Sequence, residues 1–147
     1  TTKNKNKRLH KSVNEYINIE KKNKLDSLET YKKFASEVEN VKKESLNKIK
    51  DIISDNKVVV GYGAPAKATT ILNYFGLSEK EIEFTFDDNS LKHNKIIPGT
   101  NIKILQPEDL IGLKKIDYIV VLAWNFYDQI KEKIQPLVPN VKFIKLK

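Results

Sequence analysis

Hydrophobic positions in the first third of the chain recur at steps of three and four. Leu9, Val13, Tyr16 and Ile17 predict a short amphipathic helix ending near Lys24. After a cap at Asp26 and Ser27, a second apolar series follows: Leu28, Tyr31, Ala35, Val38, Val41, Ser45, Ile49 and Ile52 or Ile53. That series makes one stripe along a helix of about seven turns. Such a stripe needs a cover, either the domain that follows or a portion of the protein outside this sequence. Residues 1–8, TTKNKNKR, are polar and charged without periodicity, and predict a weakly ordered start.

From residue 57 the pattern changes to alternating strands and helices. The β-branched run VVV marks a buried strand over residues 57–61. Residues 64–75 read as a helix with Ala68, Ile71, Leu72 and Phe75 facing inward, stopped by Gly76. EFTFD, residues 83–87, is a second strand, and DDNSLKHNKIIPGT is rich in turn formers. NIKIL (101–105) is a short alternating strand, and residues 107–113 a short helix. DYIVVLA (117–123) is a continuous apolar strand, residues 125–135 a helix through Phe126, Ile130 and Ile134, and residues 141–146 a last strand. This order predicts an α/β, Rossmann-like fold: a mainly parallel five-stranded sheet with flanking helices, preceded by an N-terminal helical extension. Right-handed crossovers give a strand order of 3-2-1-4-5, with the turn after the first strand at the topological switch point. The expected divisions are residues 1–8, a helical lead-in over 9–54, and the α/β domain over 55–147.

That turn carries the candidate chemistry. Gly61-Tyr62-Gly63-Ala64-Pro65-Ala66 fits G-x-G-x-x-A, in which the first glycine permits a tight turn and the second lets backbone approach a phosphate. The last small residue lets helix and strand pack closely. Pro65 suits the first helical turn. The helix N-terminus then favours an anion, with Lys67 able to add charge. The same residues also suit a plain strand-to-helix turn that holds nothing. Asp87 ends the second strand, where dinucleotide folds place an acid for ribose hydroxyls, while Asp87 and Asp88 equally suit a capped loop. Trp124 and Asn125 lie at the end of the fourth strand. Trp124 suits stacking on a base or simple packing, and Asn125 suits a hydrogen bond to ligand together with capping of the next helix. His93 is a lone loop histidine with no orienting partner in the sequence, and is read as exposed.

Composition narrows the chemistry. There is no cysteine, so this chain has no disulfide, thiolate nucleophile or Cys-ligated zinc, and the two histidines, His10 and His93, lie far apart. No metal site is expected. No stretch approaches the roughly 20 apolar residues of a membrane helix, and the start lacks a signal peptide's apolar core, so a soluble, cytoplasmic protein is expected. The chain starts at Thr1 and contains no methionine, which suggests a domain from a longer protein. The net charge of +8 is uneven: residues 1–50 hold 14 basic and 7 acidic side chains, and residues 51–147 hold 13 and 12. Arg8 is the only arginine, and the lysines alternate with glutamates as on a solvated helix. That pattern argues against a nucleic-acid partner.

The ordered words KVVVGYGAPAKATTILNYFGL, FTFDDNSLKHNKIIPGTNIKI, DYIVVLAWNFYDQI and VKFIKL resemble the C-terminal domain of S-adenosylmethionine-dependent sugar C-methyltransferases. Glu20 and ETYKKFASEV are similar to the helical lead-in of that domain, so the resemblance runs from about His10 onward. It implies an enzyme with a zinc-binding N-terminal domain, a middle domain that binds S-adenosylmethionine, and this domain, which helps to hold a nucleotide-linked sugar. The zinc and methyl-donor domains then lie outside this chain, and no cofactor is expected within it. By resemblance, Gly61, Tyr62, Gly63, Ala64, Lys67, Asp87, Pro98, Gly99, Thr100, Trp124 and Asn125 contact the nucleotide sugar, and none of them is catalytic. The chain departs from the family pattern D-x-N-P-x-K-Q-G at Ser90, His93 and Asn94, and from G-T-H-I-P-I at Asn101 and Lys103. Both departures are expected in loops facing the crevice.

Three functions follow from these residues. The first is the nucleotide-sugar-binding domain of a methyltransferase, with the helix N-terminus taking the diphosphate and Trp124 or Tyr62 offering a flat face to the base. The remaining domains of the same polypeptide are its partners. A non-catalytic module for NAD or a similar dinucleotide is the second, and a purely structural domain that docks a partner through the basic lead-in is the third.

Overall fold

A computed structural model describes residues 11–112 and 115–146. The expectations for residues 1–8, Leu9, Leu113 and Lys147 lie outside the described residues. The described chain divides into two compact units, one ending at Asn40 and the other starting at Val41.

In the first unit, helix α1 spans Lys11–Lys22 and helix α2, Leu28–Ser54, begins. Neither α1 nor this part of α2 has a buried residue, and Tyr16, Leu28, Tyr31 and Phe34 are exposed. The buried residues of α2, Ile49 and Ile52, lie in its second half.

The second unit holds the sheet. Its strands are β1 (Val59–Tyr62), β2 (Phe84–Phe86), β3 (Lys103–Leu105), β4 (Tyr118–Val121) and β5 (Lys142–Lys145), in the order β3-β2-β1-β4-β5. Every strand pair is parallel, with Gly61 beside Thr85 on one side and Val120 on the other. Alternation along the strands sends side chains to two cores. Val59, Val120 and Ile144 pack with Ile49 and Ile52 of α2 and with Ala68, Leu72 and Phe75 of helix α3 (Ala66–Phe75). Val60, Tyr62, Phe86, Ile119 and Val121 pack on the other face with Leu110 and with Ile130 and Ile134 of helix α4 (Tyr127–Ile134). No helix among the described residues is long and apolar enough to cross a membrane.

Boundaries differ from expectation for local reasons. β1 starts at Val59 because the Val58 N–H donates to the Asp117 carboxylate at 2.9 Å instead of joining the ladder. Gly61 is a strand residue and not part of the turn; a Cβ there would lie 2.6 Å from Thr85 Oγ1, so its bareness serves close strand packing. Pro65 is extended, with ψ 158°, and so precedes α3 as its cap residue. Ala66 is exposed, and Ala68 is the small residue that packs on the sheet. Gly76 ends α3 in the left-handed conformation, φ 72°, its N–H donating to carbonyls of the last turn. The helix expected over 107–113 is a 3-10 turn, Pro107–Gly112, and the one expected from 125 opens as a 3-10 turn, Trp124–Phe126, before α4.

Candidate functional site

Three parallel strands, β2, β1 and β4, end side by side, and their carboxyl ends surround the turn at Gly63. This glycine has φ +91°, and a Cβ on it would meet the Ala123 Cβ at 2.7 Å. Two features thus require glycine here. The turn is held from both sides: the Gly63 N–H donates to the Phe86 carbonyl at 2.6 Å, and the Thr85 hydroxyl donates to the Gly63 carbonyl at 3.1 Å.

The anion beside the turn is the protein's own. Asp87 is 8 % exposed, and its Oδ2 accepts from the Ala64 N–H at 2.6 Å and from Lys92 Nζ at 3.0 Å. Its Oδ1 accepts from the Asn89 N–H at 2.9 Å. Lys92 also donates to the Ala64 carbonyl at 3.0 Å, so one ammonium ties the loop after β2 to the turn after β1. His93, expected to be exposed and unpartnered, is half-buried, and its Nε2 donates to the Asp87 carbonyl at 2.7 Å.

A second charged cluster links β1, β2 and α4. The Tyr62 hydroxyl donates to Asp88 Oδ1 at 2.9 Å, and Lys133 Nζ donates to the same oxygen at 2.6 Å. Burial, reinforced by the bond to Asp88, pushes the Tyr62 hydroxyl up to about 12. Partial burial works against the charge on Asp88, but hydrogen bonds from Lys133 and Tyr62 outweigh it and leave its carboxyl below the usual value. Lys133 is raised, first by its bond to Asp88. Since Tyr62 is 1 % exposed, its ring offers no face to a base, contrary to expectation.

Between these clusters lies an open cleft of about 290 Å³, lined by Gly63, Asp87, Asp88, Ala123, Phe126, Gln129 and Lys133, among others. Phe126, expected to face inward, is 59 % exposed and forms part of the cleft wall. Beside Ala123, the half-buried Trp124 carries Lys67 over its ring, the ammonium 4.2 Å from the ring centroid. Asn125 is exposed and caps neither the 3-10 turn nor α4, whose cap residues, Ala123 and Phe126, make no side-chain cap bond.

Of the residues expected at the site, Tyr62, Gly63, Ala64, Asp87, Lys67 and Trp124 thus gather at or beside the cleft, with Gly61 beneath it in β1. Pro98, Gly99 and Thr100 do not join them. The Pro98 carbonyl accepts from Asn73, in the last turns of α3, at 2.9 Å, and a Cβ on Gly99 would collide with the Asn73 side chain. The Thr100 hydroxyl is buried and donates to the Ile97 carbonyl at 2.9 Å. This loop precedes β3 and packs at the opposite end of α3, so the crevice is not where it lies. At two of the departures in the loops, Asn94 and Asn101, φ is 61° and 59°, the left-handed region that asparagine tolerates.

Lys92, Gln129 and Lys133 were not legible as site residues. For the last two a signal exists in the sequence, because 126, 129, 130 and 133 share one helical face. Asp87, the acid at the strand end, has both carboxylate oxygens engaged within the protein, Oδ2 by two donors and Oδ1 by one. Among the described residues no group of three or more His, Cys, Asp or Glu is arranged to hold a metal.

Comparison with known proteins agrees with the sequence words. A family model for the C-methyltransferase C-terminal domain matches residues 1–145. The C-methyltransferase NovU of Streptomyces niveus is 36% identical over 110 residues, which are 75% of this chain and 26% of that protein. The chain thus spans about a quarter of its relative's length. With the parallel sheet, the GYGAPAK turn and a match over nearly every residue, the chain belongs to the C-methyltransferase C-terminal domain family.

Proposed function

We propose that this chain holds the nucleotide-linked sugar substrate of an S-adenosylmethionine-dependent sugar C-methyltransferase, whose methyl-donor and zinc domains lie elsewhere in the polypeptide. The observation that carries this reading is the cleft at the ends of β1, β2 and β4, with an aromatic and apolar wall at Phe126, Ala123 and Ile130, Lys133 in its lining, and Lys67 over the ring of Trp124, the residue after Ala123. Ligands of open parallel sheets bind at this crevice. An apolar wall with an uncompensated cation, Lys67, close by suits a ligand with a flat or sugar ring and a diphosphate. Binding energy at these remote groups positions the reacting carbon for transfer, while chemistry takes place against another domain.

The dinucleotide reading is disfavoured by Asp87, whose carboxylate is already bonded to Ala64, Asn89 and Lys92 and keeps at most one acceptor position, on Oδ1, for the pair of ribose hydroxyls. Titration of the isotope-labelled chain discriminates the readings. Thymidine or uridine diphosphate and their sugar conjugates are expected to shift the amides of Gly63, Ala123 and Phe126, and NAD and S-adenosylmethionine to shift none. Shifts with NAD alone would replace this reading with the dinucleotide one. The longer reading frame is expected to encode a cysteine cluster and a second glycine-rich α/β domain upstream.

A further inference from the structure

Three lysines lie around the turn and the cleft, Lys133 in the cleft lining, Lys92 on the Ala64 carbonyl and Lys67 on the ring of Trp124, and two of them are answered by carboxylates. Lys92 meets Asp87 at 3.0 Å and Lys133 meets Asp88 at 2.6 Å. Lys67 differs. Among the described residues it has no carboxylate partner, and its ammonium rests on the indole of Trp124 at 4.2 Å from the centroid. The charge of this corner is therefore +1, and the uncompensated cation covers a flat aromatic face. A cation on a partly exposed ring is held more weakly than one in a charge-assisted hydrogen bond to a phosphate oxygen.

We propose that Lys67 and Trp124 form an exchange pair for nucleoside diphosphates. A phosphate oxygen takes the ammonium, and the indole face it leaves takes a ring of the ligand, base or pyranose. The pair rests on the function proposed above, and adds to it which cation receives the diphosphate and how the stacking face is uncovered. Each half alone is a poorer ligand: pyrophosphate draws Lys67 away but leaves the indole bare, and a nucleoside must displace the lysine without rewarding it. The turn amide is not an alternative seat for the phosphate, because Ala64 N–H is bonded to Asp87 at 2.6 Å.

Trp124 is the chain's only tryptophan, so its emission reports this corner directly. The 147-residue chain is titrated with uridine diphosphate, uridine diphosphate glucose, uridine and pyrophosphate, following indole emission and, separately, backbone amides. Expected is an emission change with the diphosphates, and weaker binding of uridine and of pyrophosphate. Emission that changes with uridine diphosphate assigns the indole to the base; emission that changes only with the glucose conjugate assigns it to the sugar. Lys67→Met should weaken binding at least about ten-fold and flatten its salt dependence, while Lys67→Arg should stay within about three-fold. Equal melting temperatures for the variants and the parent chain separate this effect from misfolding. Wild-type affinity in Lys67→Met, or ligand-induced amide shifts at Gly63 and Phe126 with unchanged emission, would overturn the exchange pair and leave the proposed function standing. No amide shift with any nucleotide would overturn both.

Discussion

Gly63 and Gly76 both have positive φ, but only Gly63 also lacks room for a side chain. Gly76→Ala should cost about 1 kcal/mol, the backbone penalty alone. Gly63→Ala adds a collision with Ala123 and should cost roughly 2–4 kcal/mol, as read from the shift in denaturant midpoint. Tyr62 makes a different prediction, in alkali. Its hydroxyl binds a proton more tightly in the folded chain, about 12 against 10.0, so its contribution is complete below pH 10 and is lost as pH rises through 12. The loss should be on the order of 1–2 kcal/mol beyond that of Tyr62→Phe. In a near-ultraviolet titration, one of the six tyrosines should ionise late. Lys92→Met leaves the nearly buried Asp87 without its counter-charge and should destabilise by about 1–3 kcal/mol. The Lys133 and Asp88 pair is more than half exposed, and Lys133→Met should cost under about 1 kcal/mol.

The elements were legible where burial is continuous. VVV, DYIVVLA and the inward face at Ala68, Leu72 and Phe75 announce strands and a helix between two apolar layers, and the parallel order follows from the crossovers. The site was legible only in part. Proximity in sequence places Tyr62, Gly63, Asp87 and Trp124 at strand ends, but partners of those residues come from as far as 71 positions away, as Lys133 does for Tyr62, and Lys92 reaches Asp87 from the next turn. Such pairings depend on how α4 is rotated over the sheet, which periodicity indicates but does not name. The place of the PGT loop was not legible for a related reason: it packs at the Asn73 end of α3. At the start of β4, Asp117 joins two strands by accepting the Val58 N–H, which with Lys57 holds its carboxyl below the usual range. That contribution is present above the unfolded aspartate pKa and is lost as pH falls through the lower folded value. Asp117→Asn should therefore flatten the acid limb of the stability curve below about pH 4.

At the scale of the molecule, the first buried residue among those described is Ile49, although α2 begins at Leu28. The second unit carries both cores by itself. A chain started at Glu37, one turn ahead of Val41, should unfold cooperatively within about 5 °C of the parent, as followed by calorimetry. A fall much larger than that would mean the lead-in contributes to the sheet domain's stability. The carboxylate of Asp87 also bears on which anions the turn admits. Because it is tethered to the chain, it faces the Ala64 amide at an effective concentration of at least about millimolar, and any free phosphate must compete with it there. The glycine turn is in effect supplied with its own inhibitor, which turns away small anions.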